Sequence, residues 1–173
     1  MAEGGQRLSF KELDERSNQI AHALRTAGLN PGDTIALLAE NSLAFFEVCW
    51  AAQRSGLYYV CISTRLTGPE AAYILSDSGA SLFIASASLS GVAKYAAAEA
   101  GVPAAWSVDG FIDGFTELSP HMTQFPTTPI ADEMAGTDML YSSGTTGRPK
   151  GIRPPLERGA PIDEDMHQRS GAA

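Results

Sequence analysis

The part of the sequence best suited to chemistry is a run of small, hydroxylated and basic residues near position 145. Its members are Ser142, Ser143, Gly144, Thr145, Thr146, Gly147, Arg148, Pro149 and Lys150. Glycines lack a Cβ, so backbone N–H groups can approach phosphate oxygens closely, and neighbouring hydroxyl groups add short donors. Lys150 supplies a compact positive charge, and Pro149 restricts the backbone before it. The pattern predicts a loop that binds a polyphosphate.

Other glycine-rich motifs fit this run less well. The Walker A loop requires a lysine directly after its second glycine, whereas Gly147 is followed by Arg148 and Pro149. The run is neither the dinucleotide-binding G-x-G-x-x-G nor the nucleophile elbow G-x-S-x-G. A flexible surface linker is the alternative interpretation. The apolar residues 139–141 before the run, and Arg-Pro-Lys-Gly at its end, favour the phosphate loop.

The residues before this run alternate between predicted helices and strands. Helices are predicted at 9–28, 41–54, 67–78 and 89–100, and strands at 34–38, 57–62, 81–85 and 102–108. Two helices begin with the spacing of a capping box, Ser9 with Glu12 and Thr67 with Glu70. This alternation predicts an α/β fold with a largely parallel sheet and right-handed crossover helices.

The first helix also has a clear apolar pattern. Its predicted inner face recurs at a period near 3.6 residues and consists of Phe10, Leu13, Ser17, Ile20, Ala21 and Leu24. Residues 109–136 have little periodicity and are predicted to be a connection of loop and short helix. Residues 153–173 contain few large apolar side chains and are predicted to form a poorly ordered tail. The expected domain therefore spans residues 1–152.

Composition limits the classes of partner. The formal charge is 12 − 20 = −8, which disfavours binding to nucleic acid. No apolar run approaches the ~20 residues of a membrane-spanning helix, and the first residues lack the apolar segment of a secretory signal. Cys49 and Cys61 are predicted to be buried free thiols in a reducing, cytoplasmic setting. The three histidines are scattered, so no metal site is predicted.

At this point three segments together resemble one family. LYSSGTTGRPKG resembles the AMP-binding signature of the adenylate-forming superfamily, which includes acyl-CoA synthetases and the adenylation domains of peptide synthetases. LSFKELDERSNQIAHALRTAGLNPGD and AAQRSGLYYVCISTRLTGPEAAYILSDSGA are similar to two earlier blocks of the same family, in the expected order. Cys61 stands where many relatives carry proline. The resemblance implies the N-terminal part of an AMP-binding domain of the fatty-acyl-CoA synthetase type.

The resemblance implies an ATP-dependent ligase that uses Mg²⁺-ATP, a carboxylic acid and coenzyme A. The acid, fatty or related in structure, would first become an acyl-adenylate and then a thioester. Thr145, Thr146 and Lys150 would contact phosphate, whereas Arg148 would be mainly solvated. Family members continue well past this loop. No catalytic residue can therefore be assigned in these residues, and the piece alone is expected to be inactive.

Three alternatives remain open from the sequence. The chain could be a non-catalytic remnant that binds a nucleotide or a partner protein. The acceptor could be the thiol of a carrier protein instead of coenzyme A. A homodimer is a further alternative, because a sheet that lacks a neighbouring strand leaves an unpaired edge.

Overall fold

The computed structural model describes residues 2–3, 6–142 and 148–156. The helices are α1 Phe10–Thr26, α2 Leu43–Arg54, α3 Gly68–Asp77, α4 Ser90–Ala100 and α5 Leu118–Met122. The strands are β1 Ala2–Glu3, β2 Gln6–Arg7, β3 Thr34–Leu38, β4 Tyr58–Cys61, β5 Leu82–Ser86, β6 Ala105–Val108, β7 Thr116–Glu117, β8 Thr137–Asp138, β9 Leu140–Ser142 and β10 Lys150–Ile152. A 3₁₀ turn, Ala87–Leu89, precedes α4.

Six of these strands form one parallel sheet in the order β7-β6-β5-β3-β4-β8. The central strands β3 and β5 are buried along their whole length, as expected for a parallel strand covered on both faces. The predicted α/β fold with a largely parallel sheet is confirmed. Two short antiparallel pairs, β1–β2 and β9–β10, lie outside this sheet.

The helices cover both faces of the sheet. On one face α1 and α2 pack together over Ile35 and Leu37 of β3. On the other face α3 and α4 pack together over Ala36 and Leu38 of the same strand. Successive side chains of a strand point to opposite faces, so β3 contributes to both apolar cores.

Both predicted capping boxes are present. At α1, the backbone N–H and the hydroxyl of Ser9 donate to Glu12 Oε2 at 2.8 and 2.7 Å. At α3, the same two groups of Thr67 donate to Glu70 Oε2 at 2.8 and 2.6 Å. The first turn of a helix has backbone N–H groups without helical partners, and these side chains define where each helix begins.

A buried arginine connects α1, α2 and the segment before β8. The Arg54 guanidinium lies 2.8 Å from Asp14 Oδ1 and 3.7 Å from Glu133 Oε1, and it also donates to Asn18 Oδ1. Burying a guanidinium is costly unless it is paired and hydrogen-bonded, so these contacts fix how α1, α2 and residue 133 pack together.

The structure differs from the predictions at a few positions. Phe10 is 88% exposed and so does not belong to the inner face of α1, because it lies at the first residue of the helix. The connection at 109–136 contains the edge strand β7 as well as the short helix α5. Within the described ranges, no helix is long and apolar enough to cross a membrane.

Candidate functional site

The predicted phosphate loop is carried by the β9–β10 hairpin. In this antiparallel pair Ser142 lies opposite Lys150, and Tyr141 lies opposite Gly151. The pairing holds the two ends of the predicted loop side by side. Five of its residues, Ser143, Gly144, Thr145, Thr146 and Gly147, lie outside the described residues, so their contribution stays a prediction.

The described residues of the predicted loop are largely accessible to solvent. Ser142, Arg148 and Lys150 are exposed, and Pro149 is partly buried. Lys150 forms no ion pair with any residue in the described ranges. Its ammonium group is therefore available to an anion, which is the property that phosphate binding requires.

The hairpin is fastened to α3 by three side chains, Tyr73, Asp77 and Tyr141, which we call the tyrosine–aspartate clamp. Tyr141 donates its hydroxyl hydrogen to Asp77 Oδ2 at 2.7 Å. The Tyr73 hydroxyl lies 3.1 Å from the carbonyl oxygen of Pro149, to which it donates. One contact is on β9 and the other directly precedes β10. The clamp thus holds the chain near both ends of the predicted loop.

Asp77 is an unusual residue for its position. It is the last residue of α3, where the partial negative charge of the helix terminus disfavours a carboxylate by roughly 0.3–1 kcal/mol. The short bond from Tyr141 offsets that cost. Burial, together with the hydrogen bond to the Asp77 carboxylate, raises the pKa of Tyr141 above its ordinary value. Tyr141 therefore remains a protonated donor at neutral pH.

Two arginine–aromatic contacts lie on either side of β10. The Arg148 guanidinium carbon is 5.2 Å from the centre of the Tyr73 ring, within the range of a cation–π contact. After β10, Arg153 lies over the Tyr58 ring at 4.1 Å and donates to the carbonyl oxygen of Gly32 at 2.7 Å. The strand that leaves the predicted loop is thus anchored to the start of the sheet.

A shallow pocket of about 260 Å³ lies between α3 and the hairpin. Its lining residues are Leu66, Pro69, Glu70, Tyr73, Ile74, Arg148 and Pro149. This volume is below the ~300–1,000 Å³ typical of small-molecule sites. Because several lining residues are apolar, the pocket offers a partly apolar surface beside the predicted loop. Within the described ranges no group of three or more His, Cys, Asp or Glu side chains is placed to hold a metal ion.

The clamp could not be found from the sequence. The sequence patterns assign no functional role to Tyr73, Asp77 or Tyr141. The Asp77–Tyr141 bond joins residues 64 positions apart, and no local spacing reveals such a contact. The useful signal would have been an acidic residue at a helix C-terminus, where a basic residue is favoured.

Comparison with known proteins places these features in one family. The family model for AMP-binding enzymes matches residues 1–153. The chain is 38% identical, over 86% of its length, to the fatty acid–acyl-carrier-protein ligase ScoC of Streptomyces coeruleorubidus. It is 34% identical, over 84% of its length, to the long-chain-fatty-acid–CoA ligase FadD13 of Mycobacterium tuberculosis. The chain covers 28% and 29% of these two relatives.

Solved structures agree. The crystal structure of the inhibitor-bound N-terminal domain of FACL13 from Mycobacterium tuberculosis superposes with a TM-score of 0.74 at 31% identity. The match covers 86% of this chain and 37% of that one. A family match over nearly the whole described chain, together with the predicted parallel sheet, leads to one assignment. The chain belongs to the AMP-binding enzyme family of adenylate-forming ligases.

Proposed function

We propose that the β9–β10 hairpin binds the β- and γ-phosphates of ATP in a ligase that joins a carboxylic acid to a thiol. The observation that carries the proposal is the exposed Lys150 at the start of β10, which forms no ion pair with any residue that the structure describes. It lies opposite Ser142 on a hairpin fixed by the tyrosine–aspartate clamp. Family membership supports the same chemistry, since the relatives include fatty-acid and feruloyl-CoA ligases.

The proposed reaction has two steps. A carboxylate oxygen attacks the α-phosphorus of ATP, the bond from that phosphorus to the bridging oxygen breaks, and pyrophosphate leaves. A thiol sulfur then attacks the acyl carbonyl carbon, and AMP leaves with the electron pair of the broken C–O bond. Negative charge accumulates on the departing pyrophosphate in the first step. Groups that hold its oxygens stabilise that transition state by positioning and charge neutralisation.

The described residues have distinct roles in this proposal. Lys150 neutralises charge on the β- and γ-phosphates, and Ser142 adds a hydroxyl donor. The clamp reduces the conformational freedom that the loop must lose on binding, which is the benefit of preorganisation. The remaining proposed phosphate contacts, Thr145 and Thr146, lie outside the described residues. Mg²⁺ would accompany the nucleotide phosphates and neutralise part of their charge.

The acceptor thiol has two candidates. Coenzyme A is the first, as in the relatives named a long-chain-fatty-acid–CoA ligase and a feruloyl-CoA synthase. A carrier-protein thiol is the second, and the 38% identity to the ligase ScoC, which is named for a fatty acid and an acyl-carrier protein, specifically favours it. The acid is proposed to be a fatty or aromatic carboxylic acid. The chain spans less than a third of these relatives, so the complete activity is part of the proposal.

Binding of ATP and pyrophosphate to the 173-residue chain, measured by isothermal titration calorimetry, tests the proposal directly. The Lys150→Ala variant should weaken ATP binding by about ten- to a hundredfold, because a charge-assisted hydrogen bond contributes roughly 1.5–3 kcal/mol. Lys11→Ala is the matched control. Lys11 is an exposed lysine on α1 with an Oε1 of Glu15 at 3.7 Å. Equal losses in the two variants, or no loss in Lys150→Ala, would refute the proposal.

A further inference from the structure

The chain's two cysteines lie on neighbouring elements and contact each other. Cys49 belongs to α2 and Cys61 is the last residue of β4. Tyr58 and Val60 face the α3–α4 side of the sheet, whereas Tyr59 packs on the α1–α2 side. Because side chains alternate along a strand, Cys61 also lies on the α1–α2 side. There it lies next to Cys49, because α2 packs against β4, and a hydrogen bond between the two thiols acts on both of their pKa values.

Solvent reaches the two thiols very differently. Cys49 is 8% exposed and forms part of the apolar core beneath α2. Cys61 is exposed. The prediction of two buried thiols is therefore wrong for Cys61. The reason is its position at the end of β4, beyond the two residues, Tyr58 and Tyr59, that pair with β8. A dissolved small molecule therefore reaches Cys61 more readily than Cys49.

The hydrogen bond also makes the two sulfurs chemically unequal. Donation from the Cys49 thiol lowers the pKa of Cys61, although burial and the nearby Asp138 carboxylate act in the opposite direction. The same hydrogen bond, with burial, raises the pKa of Cys49. The accessible Cys61 therefore loses its proton more readily to form a thiolate, whereas the buried Cys49 keeps its proton. Thiolate character and exposure together determine which cysteine reacts with oxidants.

We propose that Cys49 and Cys61 form an oxidation site at which a hydroperoxide converts the two thiols into an intramolecular disulfide. The accessible Cys61 reacts first, and Cys49 lies in contact with the resulting sulfur. The disulfide would join the middle of α2 to the end of β4, elements that already pack together. This site shares no residue with the hairpin and does not depend on the ligase proposal.

The chemistry balances in two steps. The Cys61 sulfur attacks an oxygen of the hydroperoxide, an S–O bond forms, the O–O bond breaks, and the alkoxide leaves and takes up the proton released by Cys61. The Cys49 sulfur then attacks the Cys61 sulfur, an S–S bond forms and the S–O bond breaks. Hydroxide leaves with the Cys49 proton as water. The dithiol loses two electrons, and the hydroperoxide is reduced to an alcohol and water.

Hydrogen peroxide and intact-mass spectrometry of the reduced 173-residue chain test this site. The expected product is a monomer lighter by about 2 Da, the two hydrogens lost in disulfide formation, and dithiothreitol should restore the original mass. Trypsin cleaves after Arg25, Arg54 and Arg65, so the cross-link should join peptide 26–54 to peptide 55–65. A wild-type chain that keeps both thiols, or that gives only dimers linked between chains, would overturn the proposal.

Single variants separate the two roles. Cys49→Ser should leave Cys61 reactive, and its product should be a sulfenic or sulfinic acid or a dimer between chains. Cys61→Ser should leave Cys49 unreacted at the same peroxide concentration. Oxidation of Cys61→Ser as fast as wild type would contradict the assigned order.

A second measurement on the wild type guards against variants that fold poorly. Disulfide formation in the folded chain should be at least tenfold faster than in urea-unfolded chain, because the fold supplies the sulfur–sulfur contact and the lowered pKa of Cys61. Equal rates in the two states would show that the fold contributes nothing, and would refute the site.

Discussion

Tyr141 and Asp77 connect the hairpin to α3 through one hydrogen bond of 2.7 Å. The bond places a hydroxyl group of β9 against the last residue of a helix, and the Asp77 side chain itself is exposed to solvent. An exposed hydrogen bond contributes little to overall stability compared with a buried one. Its main effect is expected on the hairpin, whose position it restricts.

The Tyr141→Phe variant isolates that effect, because phenylalanine keeps the ring and removes only the donor. We expect about 1 kcal/mol or less of lost stability, and ATP binding weakened several-fold because the loop is no longer held on its β9 side. Urea unfolding and calorimetry measure the two quantities. Tyr95→Phe is the control, since Tyr95 is 48% exposed and its hydroxyl has no hydrogen-bond partner within the described ranges. Unchanged ATP affinity in Tyr141→Phe would show that the clamp does not position the loop.

Gly136 is required at its position because backbone atoms surround it. An added Cβ would lie 2.4 Å from the carbonyl oxygen of Leu57 and 2.8 Å from that of Ala52. Real Cβ atoms do not approach so closely, and backbone cannot move aside as a flexible side chain can. The residue lies directly before β8, so close packing here determines where the strand leading to the hairpin meets the sheet.

Gly136→Ala is therefore expected to destabilise the chain by about 1–3 kcal/mol, the range for overpacking a dense core. Gly91→Ala, in α4, should be neutral or stabilising by up to about 1 kcal/mol, since alanine favours helix and nothing lies within 4 Å of the new Cβ. Urea midpoints of both variants measure the difference. Similar midpoints for the two would contradict the steric argument.

At the scale of elements, the capping boxes give α1 and α3 a dependence on pH. Hydrogen bonds from the side chain and the backbone of Ser9 hold the pKa of Glu12 below its ordinary value of 4.5, and those of Thr67 do the same for Glu70. Because the folded-state pKa lies below the unfolded value, the stabilisation is fully present above pH 4.5. It is lost as the pH falls through the folded-state pKa.

The double variant Glu12→Gln, Glu70→Gln should therefore have a lower free energy of unfolding than wild type at neutral pH. This gap between variant and wild type should close as the pH falls below 4.5. Thermal unfolding across this pH range measures the gap. Glu99→Gln, at an exposed glutamate of α4, should show no comparable gap. A difference that persists unchanged to low pH would mean that the charged carboxylates are not responsible.

The elements themselves were largely predictable from sequence. Strand β3 was expected at residues 34–38 and is found there, because five consecutive apolar or β-branched residues between a glycine-containing turn and a helix cap leave few alternatives. The starts of α1 and α3 were set by local capping residues. Strand β7 was missed because two residues, Thr116 and Glu117, are too few to show a period.

At the scale of the whole molecule, the sequence predicts the layers of sheet and helices. It does not predict the contacts between residues that are distant in the chain. Alternating helices and strands imply a parallel sheet covered on both faces. They do not reveal that Arg54 joins Asp14 to Glu133, or that Asp77 meets Tyr141. The Cys49–Cys61 contact was equally hidden. Such pairs depend on how packed elements are rotated and offset, which single-residue patterns do not encode.

The way in which β8 joins the sheet affects the free energy needed to separate this strand from β4. Only two residue pairs hold β8 to β4, at the sheet edge, whereas β3 is paired along both sides. Segments with few pairings separate from a fold at lower free-energy cost than its centre. The segment 137–142 is therefore expected to detach from β4 at a lower free-energy cost than β3 from its neighbours, once the Tyr141–Asp77 bond of the clamp is also broken. A nucleotide that binds only the docked hairpin would make that detachment rarer in proportion to its occupancy.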